Sequence, residues 1–295
     1  PDPLPGMVGS VSLILLTTKV SSVAHLSHEE IERLEQASIT TDAALREREA
    51  RHIHSLDQVR QALTGEQVRE RRVDELVADD IKDVKLVVTV GGDGTVLAVA
   101  SLLKEIPVIA VNSDPERSVG HFTRCLADDF ARLLAGWRDN QYQVQPLPRL
   151  ELCLNEQPQR HLILNDCLVT NCNPAAMTRY RICWDDTEEQ QASSGVWVST
   201  AAGSTAAIHS AGAEPVPADQ DALLFQVREP YEGHRPVRLR GGRALPPRPL
   251  TLTAAMPGIR CYIDGSHYYQ SLPAGATAHF TASAYPLRLL SLPSA

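Results

Sequence analysis

The sequence has no long hydrophobic run and little positive charge. Its apolar stretches are about the length of one β-strand, whereas a transmembrane helix needs about 20 apolar residues. Its 28 Lys and Arg are outnumbered by 36 Asp and Glu, which gives a formal net charge of −8 at pH 7. DNA or an anionic membrane would therefore have to be bound by a local patch, against the net charge of the molecule. We expect neither a nucleic-acid partner nor a membrane partner.

Cysteine is also too sparse and too scattered to form a framework. The six cysteines include no Cys-x-x-Cys pair and no Cys/His quartet at zinc spacing, which excludes the usual patterns of disulfide-rich and zinc-binding proteins. We predict free, buried thiols. His52 and His54 lie two residues apart without a partner in a metal-binding pattern, so we expect no metal held by protein ligands.

No charged segment followed by an apolar segment opens the sequence, so we expect no secretory signal. Free thiols fit a reducing compartment. We therefore expect a cytoplasmic protein, with the mitochondrial matrix as the alternative.

What the sequence does contain is 43% hydrophobic and 22% charged residues over 295 positions, a globular composition with material for one large core or two modest ones.

The first half of the chain alternates strand-like and helix-like segments. Three apolar, β-rich runs, VSLILLTT (11–18), KLVVTV (85–90) and PVIAVN (107–112), are separated by stretches with helical periodicity. Strands that are apolar on both faces are typical of a parallel sheet covered by helices. We therefore predict an open α/β domain over residues 1–145.

Capping patterns predict where the helices of this domain begin. Ser27 followed by Glu30 is a capping box, and a similar pattern at Ser55 predicts a second helix start. The segment DDFARLLAGW (128–137) has apolar residues on one helical face. The charge-rich segment AALREREARH (43–52) predicts a solvated helical face or a loop.

The second half has a different texture. After residue 145 the chain consists of short strand-like runs separated by Pro, Gly, Asn and Asp, and long helical periodicity is absent. This spacing indicates a mainly antiparallel β domain over residues 146–295. Asp264-Gly265 is its strongest hairpin signal, and we interpret that pair as turn chemistry.

The most unusual segment is LVVTVGGDGTVLA (86–98), in which three glycines in four positions follow an apolar strand. Glycines between a strand and a helix let backbone N–H groups converge on an anion, and a phosphate fits that description. A tight turn alone would need only one glycine. Neither the P-loop pattern nor the dinucleotide pattern G-x-G-x-x-G matches. Asp93, placed among the glycines, is useful beside a phosphate only if it faces a metal or a hydroxyl nucleophile. We therefore predict phosphoryl transfer, with Mg²⁺ offsetting the phosphate charge.

Several segments carry a resemblance to one family. Gly-Gly-Asp-Gly-Thr (91–95) resembles the signature shared by NAD kinases and by diacylglycerol- and sphingosine-type lipid kinases. SSGVWVSTAAGSTAAIHSAG (193–212) resembles the glycine-, serine- and threonine-rich segment of NAD kinases, and LILNDCLV (162–169) lies where they carry an Asn-Glu pair. VNSDPERSVGHF (111–122) and RHIHSLDQV (51–59) are similar to the branch that includes the mitochondrial enzymes. The resemblance covers nearly the whole chain.

The resemblance implies a fold and an activity. It implies a Rossmann-like α/β N-terminal domain and a mainly antiparallel, β-sandwich-like C-terminal domain, with the active site in the crevice between them. The implied reaction is ATP- and Mg²⁺-dependent phosphorylation of the adenosine ribose 2′-hydroxyl of NAD, which forms NADP. The implied assembly is a homodimer or a larger homo-oligomer.

The resemblance also implies a set of site residues. Asp93 would orient or deprotonate the ribose hydroxyl, and Asn165 and Asp166 would hold the NAD. The other implied binding residues are Gly91, Gly92 and Gly94 at the ATP phosphates with Thr95 in the same turn, and Thr200, Gly203, Ser204 and Thr205 at the dinucleotide.

Departures from the family pattern keep alternatives open. Asp166 stands where the family carries glutamate, which shortens the carboxylate arm, and Ala207 replaces a common aromatic residue. The alternatives are a lipid kinase that shares Gly-Gly-Asp-Gly-Thr and a catalytically weak dinucleotide-binding regulator. Against a lipid kinase stand the acidic total charge and the lack of a basic amphipathic docking helix. Asn165-Asp166 can also be a strand-end turn, and residues 199–207 a flexible loop.

Overall fold

The computed structural model describes residues 12–21, 26–155, 160–233 and 236–293. Within them the chain forms two compact units. The first unit holds residues up to Val99, Ile106–Gln145 and the residues from Arg288 onward, and the second holds Ala100–Glu105 and Pro146–Leu287.

The elements are numbered in chain order. The strands are β1 (Leu13–Thr18), β2 (Gln67–Arg72), β3 (Val84–Gly91), β4 (Val108–Asn112), β5 (Cys125–Leu126), β6 (Gln143–Leu147), β7 (Leu150–Leu154), β8 (Arg160–Ile163), β9 (Asp166–Asn171), β10 (Thr178–Trp184), β11 (Thr187–Ser193), β12 (Gly195–Thr200), β13 (Leu223–Arg228), β14 (Gly241–Ala244), β15 (Leu250–Ala254), β16 (Ile259–Ile263), β17 (Tyr269–Leu272), β18 (Thr277–Ala282) and β19 (Leu287–Ser291). The helices are α1 (His28–Gln36), α2 (Asp42–Ala62), α3 (Asp93–Ala100), α4 (Ala127–Arg138) and α5 (Ala207–Ser210), with a short 3₁₀ helix at Ala78–Ile81.

The first unit is built on a seven-stranded sheet. Its strand order is β2-β1-β3-β4-β19-β6, with β5 beside β4. The pairs β1–β2, β1–β3, β3–β4 and β4–β19 are parallel. β3 is buried on both faces except at Lys85, and Val59 of α2 and Phe130 of α4 belong to the same core as Val88. The predicted α/β domain with a parallel sheet is confirmed.

The helix starts agree with the sequence in one case and differ in the other. At α1 the Ser27 hydroxyl accepts the Glu30 N–H at 3.2 Å and the Glu30 carboxylate accepts the Ser27 N–H at 2.8 Å, which confirms the capping box. The predicted start at Ser55 is wrong. Thr41 is the cap, since its Oγ1 accepts the Ala44 N–H at 3.1 Å, and α2 continues through Ser55.

The second unit is a sandwich of two antiparallel sheets. The strand orders are β11-β10-β15-β18-β7-β8 and β14-β13-β12-β9-β16-β17. One core takes side chains from both sheets, for example Leu152 and Ile182 from the first and Val198 and Phe225 from the second. The predicted antiparallel β-sandwich is confirmed.

Two details of this sandwich concern the site. The segment LILNDCLV (162–169) is divided between β8 and β9, and the chain turns between them at Leu164 and Asn165. The predicted hairpin is present between β16 and β17, with Asp264 at φ 51° and Gly265 at φ 123°. Glycine tolerates such angles and aspartate tolerates them better than most residues.

The structure differs from the predicted division at residue 145/146 in two places. Residues from Arg288 onward belong to the first unit, because β19 pairs with β4 in the parallel sheet, with Leu289 opposite Val108. Leu287, Leu289 and Leu290 are all buried. Residues Ala100–Glu105 belong to the second unit.

All six cysteines are free, as predicted, but not all are buried. Cys172 is exposed and Cys183 is half-buried, whereas the other four are buried. Among the described residues, no helix combines the length and the apolar character that crossing a bilayer requires.

Candidate active site

The glycine turn joins the end of β3 to the start of α3 in the first unit. None of Gly91, Gly92 and Gly94 has a left-handed φ, so the backbone conformation does not require glycine at these positions. A Cβ on Gly91 would lie 2.1 Å from Oγ1 of Thr95, whose buried side chain occupies that place. A Cβ on Gly94 would meet no atom within 4 Å. Gly91 is therefore needed for packing, whereas the space at Gly94 is open to a ligand.

Asp93, the first residue of α3, is bound to a loop. Its Oδ2 accepts the His121 N–H at 2.9 Å, and its Oδ1 accepts the N–H groups of Phe122 at 2.8 Å and Thr123 at 3.3 Å. A carboxylate has about four lone-pair positions. In this arrangement Asp93 fixes the loop and retains one position for a further donor.

That loop, residues 113–123, forms one side of the glycine turn. It leaves the end of β4, where the Ser113 N–H donates to the Gly91 carbonyl at 3.0 Å. Its Ser118 Oγ lies 3.4 Å from where a Cβ on Gly92 would stand. The loop thus comes together with the carboxyl ends of parallel strands, where open α/β sheets bind ligands.

A polar face of α2 packs over the same edge of the sheet. Nε of Arg51 pairs with Oδ1 of Asp114 at 2.9 Å, and Nε2 of His52 lies 3.0 Å from the Thr18 hydroxyl. Burial, and to a lesser degree the charge of Lys19, lowers the pKa of His52 to about 4. The charge-rich segment 43–52 is thus helical as expected, and in its last turn His52 is buried while Arg51 is half-buried and Ala50 is exposed.

Sequence reasoning missed Lys19, which follows β1. Its N–H donates to the Val90 carbonyl at 3.2 Å, and its Cβ lies 3.3 Å from where a Cβ on Gly91 would stand. Burial lowers the pKa of Lys19, while Glu49 and Asp114 oppose that shift. The sequence shows Lys19 only as the polar residue that ends an apolar run, and nothing in it indicates the proximity to the glycines.

The second unit brings three of the predicted dinucleotide residues together. The Thr200 hydroxyl donates to the Leu164 carbonyl at 2.6 Å, and the Thr200 N–H donates to the Asn165 carbonyl at 3.1 Å. The Gly203 N–H donates to Oγ1 of Thr200 at 3.1 Å. A Cβ on Gly203 would lie 2.0 Å from the Asn165 carbonyl oxygen, so only glycine fits. We call residues 164–166 with Thr200 and Gly203 the β9 corner.

The other two predicted residues of this segment are used differently. Ser204 is fully buried, and its hydroxyl donates to the Val216 carbonyl at 3.1 Å and accepts the Val216 N–H at 3.0 Å. Its hydroxyl therefore holds the chain and is not presented to a ligand in this arrangement. Thr205 is exposed.

Asp166 lies at the β9 corner beside a second carboxylate. It is only 5% exposed, and its Oδ2 accepts a hydrogen bond from Nδ2 of Asn165 at 3.2 Å. Burial, and then the charge of Asp264, raises the pKa of Asp166 to about 7. Burial raises the pKa of Asp264 to about 6, although backbone N–H groups and Arg149 favour its charged form. The sequence showed Asp264 only as a turn residue.

Comparisons with known proteins identify relatives of this chain. The family model for the ATP-NAD kinase N-terminal domain matches residues 13–142. A probable NADH kinase from Oryza sativa subsp. japonica is 32% identical over 239 residues, 72% of this chain and 73% of that protein. An NAD kinase from Methanoregula boonei is 31% identical over 219 residues, 70% of this chain and 74% of that protein. An NADH kinase from Arabidopsis thaliana is 30% identical over 227 residues, 69% and 72% of the two chains.

Two crystal structures share the fold. Yeast NADH kinase complexed with NADH superposes with a TM-score of 0.65 at 17% identity, covering 97% of this chain and 85% of that one. An NAD kinase from Archaeoglobus fulgidus in complex with ATP gives 0.63 at 18% identity, covering 94% and 93%. With the glycine turn, the β9 corner and relatives of 30% identity or more over at least two thirds of both chains, the chain belongs to the NAD kinase family of phosphotransferases.

Proposed function

We propose that this chain transfers the terminal phosphoryl group of ATP to the adenosine ribose 2′-hydroxyl of NAD or NADH and forms NADP or NADPH. The observation that carries the proposal is the glycine turn. It presents an open space at Gly94, a carboxylate at Asp93 with an acceptor position left, and a lysine at its side. These are the groups that phosphoryl transfer requires at a phosphate and an attacking hydroxyl.

The ATP phosphates bind at the start of α3 in this proposal. The first N–H groups of a helix have no partner within the helix, and the helix dipole favours negative charge there. The open space at Gly94 lets phosphate oxygens approach the backbone closely. Lys19 adds a positive charge beside the turn.

Asp93 orients the attacking hydroxyl and accepts its proton. Phosphoryl transfer through a loose transition state asks mainly for alignment and charge neutralisation, so a carboxylate that takes the proton late is sufficient. Three of its acceptor positions are filled by the amides of residues 121–123, which hold the carboxylate in one orientation. A carboxylate fixed in this way loses little conformational entropy when the hydroxyl binds.

The dinucleotide is held by the β9 corner. Asn165 is partly exposed and projects from a peptide whose carbonyl is fixed by Ser199 at 3.0 Å and by Thr200. Its side-chain amide both donates and accepts, which suits ribose hydroxyls and phosphate oxygens. Asp166 is too buried to extend far, so it acts from behind Asn165, to which it is hydrogen-bonded.

Magnesium has no dedicated cage in the part of the chain that the structure describes, where no three His, Cys, Asp or Glu side chains are grouped as ligands. Mg²⁺ commonly binds through substrate phosphates and water rather than through protein side chains alone. In our proposal it therefore enters with ATP, and no protein residue is assigned to it.

We also propose that the chain assembles as a homodimer or a larger homo-oligomer, which light scattering on the purified protein tests.

A product assay tests the function. Purified protein is incubated with ATP and Mg²⁺ and with NAD, NADH or dispersed diacylglycerol, and formation of NADP(H) and of phosphorylated lipid is measured. We expect NADP or NADPH, and the ratio of the two rates gives the substrate preference. Phosphorylation of the lipid alone would favour the lipid kinase. Binding of NAD without turnover would favour the dinucleotide-binding regulator.

A further inference from the structure

Asp264 makes an unusual set of contacts for a hairpin residue. Its Oδ2 accepts the Leu164 N–H at 2.9 Å, and its Oδ1 accepts the N–H groups of Asn165 at 2.7 Å and Asp166 at 3.2 Å. Its own N–H donates to the Asp166 carbonyl at 2.8 Å. A turn that lies about 100 positions further along the chain thus holds the start of β9 through four hydrogen bonds.

Only a carboxylate satisfies this arrangement. Three N–H donors converge on two oxygen atoms, and both oxygens must accept. Asparagine would offer one accepting oxygen and would turn an NH₂ group toward at least one N–H. A buried donor left facing a donor costs more than the average hydrogen bond contributes.

The β9 corner is therefore fixed from two sides. Asp264 takes the N–H groups of residues 164–166, while Thr200 and Ser199 donate to the carbonyls of Leu164 and Asn165. Neighbouring peptides so held have little freedom to rotate. The direction in which Asn165 projects is then set by elements on other strands, and not by β9 itself.

The charged and titratable groups around the two carboxyls are few. Asp264 and Asp166 repel each other, and Arg149 favours the charged form of Asp264. The thiol of Cys167 lies next to them, and burial raises the pKa of Cys167 well above its usual range. Removing the charge of Asp264 thus removes the main unfavourable neighbour of Asp166.

We propose that Asp264 is a positioning residue for dinucleotide binding, which fixes the peptides of residues 164–166 so that Asn165, held from behind by Asp166, is presented to NAD. The inference rests on the proposed function, because it takes NAD or NADH as the ligand of the β9 corner. It adds to that function a residue which contacts neither reacting group and acts through Asn165 and Asp166.

The test compares Asp264→Asn with Asp185→Asn. Asp185 has the same φ of 51°, lies in the turn between β10 and β11 of the same unit, and pairs with Arg248 at 2.7 Å away from β9. Binding of NAD and ATP is measured separately by calorimetry, with steady-state KM and kcat for each substrate. We expect Asp264→Asn to weaken NAD binding about tenfold or more, the effect of buried donors losing their acceptor, with ATP binding within about twofold. Asp185→Asn should change neither.

A pH series separates positioning from a general loss of structure. A charged carboxylate accepts a hydrogen bond more strongly than a neutral one, so Asp166 should hold the Asn165 side chain more firmly once it ionises, and NAD binding should strengthen. In Asp264→Asn that rise should move to lower pH, because one negative neighbour is gone. Asp264→Glu keeps the charge and changes the reach, so it should weaken NAD binding without this displacement. Equal weakening of NAD and ATP binding, or an unchanged pH series, would overturn the proposal.

Hydrogen exchange keeps the test decisive if activity is absent. The amides of Leu164, Asn165 and Asp166 should lose protection in Asp264→Asn and keep it in Asp185→Asn. If the unaltered protein binds NAD but forms no NADP(H), the proposed function fails while the binding comparison still tests Asp264. If the protein binds neither NAD nor NADH, both proposals fail. If Asp264→Asn does not fold, Asp264→Glu is compared with Asp185→Asn instead. Weaker NAD binding in Asp264→Glu alone supports the positioning role, and equal NAD binding in the two variants overturns it.

Discussion

Two aspartates, one in each unit, accept backbone hydrogen bonds in the same way, but the sequence indicates a chemical role for only one of them. Asp93 accepts three consecutive backbone N–H groups from residues 121–123, and Asp264 accepts three from residues 164–166. Asp93 lies among glycines that mark it for chemistry, whereas Asp264 lies in an Asp-Gly pair that marks it for a turn. A local sequence pattern thus indicates the role of an aspartate within its own turn. It does not indicate the hydrogen bonds that the carboxylate accepts from residues far away in the sequence.

Among the variants that test this comparison, Asp93→Asn should have the largest effect, and the effect should be on kcat. Loss of the carboxylate removes a proton acceptor, and kcat should fall about a hundredfold or more, the usual range for an acid–base group. Most of the NAD and ATP binding should remain, although asparagine turns an NH₂ group toward one of the N–H groups of residues 121–123 and should loosen that loop; calorimetry beside steady-state rates measures both effects. Asp129→Asn is the matched control, because Asp129 lies in the first turn of α4 and pairs with exposed Arg132 at 2.9 Å. Unchanged turnover in Asp93→Asn would show that Asp93 only holds the loop of residues 113–123 and takes no part in the reaction.

Replacing a glycine with alanine should have opposite effects on the free energy of unfolding at Gly203 in the second unit and at Gly94 in the first. In Gly203→Ala the new Cβ would lie 2.0 Å from a backbone oxygen, so the free energy of unfolding should fall by about 1–3 kcal/mol, with NAD binding weakened. In Gly94→Ala the Cβ enters empty space within a helix, so the free energy of unfolding should stay equal or rise by up to about 1 kcal/mol. The KM for ATP should nevertheless increase. Denaturant unfolding checks the first quantity, and a destabilised Gly94→Ala would contradict the open space.

Asp166 should make the second unit less stable as the pH rises. Its pKa is about 7 in the folded protein and about 3.9 in an unfolded chain, so the folded state holds the extra proton between these values. The free energy of unfolding should therefore decrease from about pH 4 to about pH 7. Asp166→Asn should reduce that slope, measured by urea unfolding across this range. An unaltered slope would show that the carboxyl is more solvated than its burial indicates.

His52 should give the smallest effect, with the opposite sign, in the first unit. Its pKa is about 4 when folded and about 6.5 when unfolded, so here the unfolded chain binds the extra proton. The free energy of unfolding should decrease as the pH falls from about 6.5 to about 4. In His52→Gln this loss should be smaller. Hydrogen exchange resolved by residue can assign the two opposite slopes to α2 and β9.

Much of the fold was readable because its signals are local. The Ser27 capping box, the runs of β3 and β4, and the Asp264-Gly265 hairpin each depend on residues within a few positions. The start of α2 was misplaced because Ser55 has the right spacing for a cap but serves as a polar contact inside the helix. Spacing alone does not separate these two uses of serine.

The site was readable in part for the same reason. Glycine and Asn-Asp patterns located the glycine turn and the β9 corner, but the contacts of Lys19 and Asp264 join residues about 70 and 100 positions apart. Ser204 shows the reverse case. It belongs to a segment whose composition indicates ligand binding, yet its hydroxyl is used by Val216, which no composition indicates.

Strand β19 has a consequence for synthesis of the protein. It lies between β4 and β6 in the sheet order, although about 140 residues separate it from β6 along the chain. On the ribosome, the α/β sheet therefore lacks an interior strand until residue 291 has emerged, by which time the residues of the β sandwich have all been made. Any nascent or recombinant fragment that ends just after β6 would leave the side of apolar β4 that pairs with β19 without its partner strand, and such an edge is a template for aggregation.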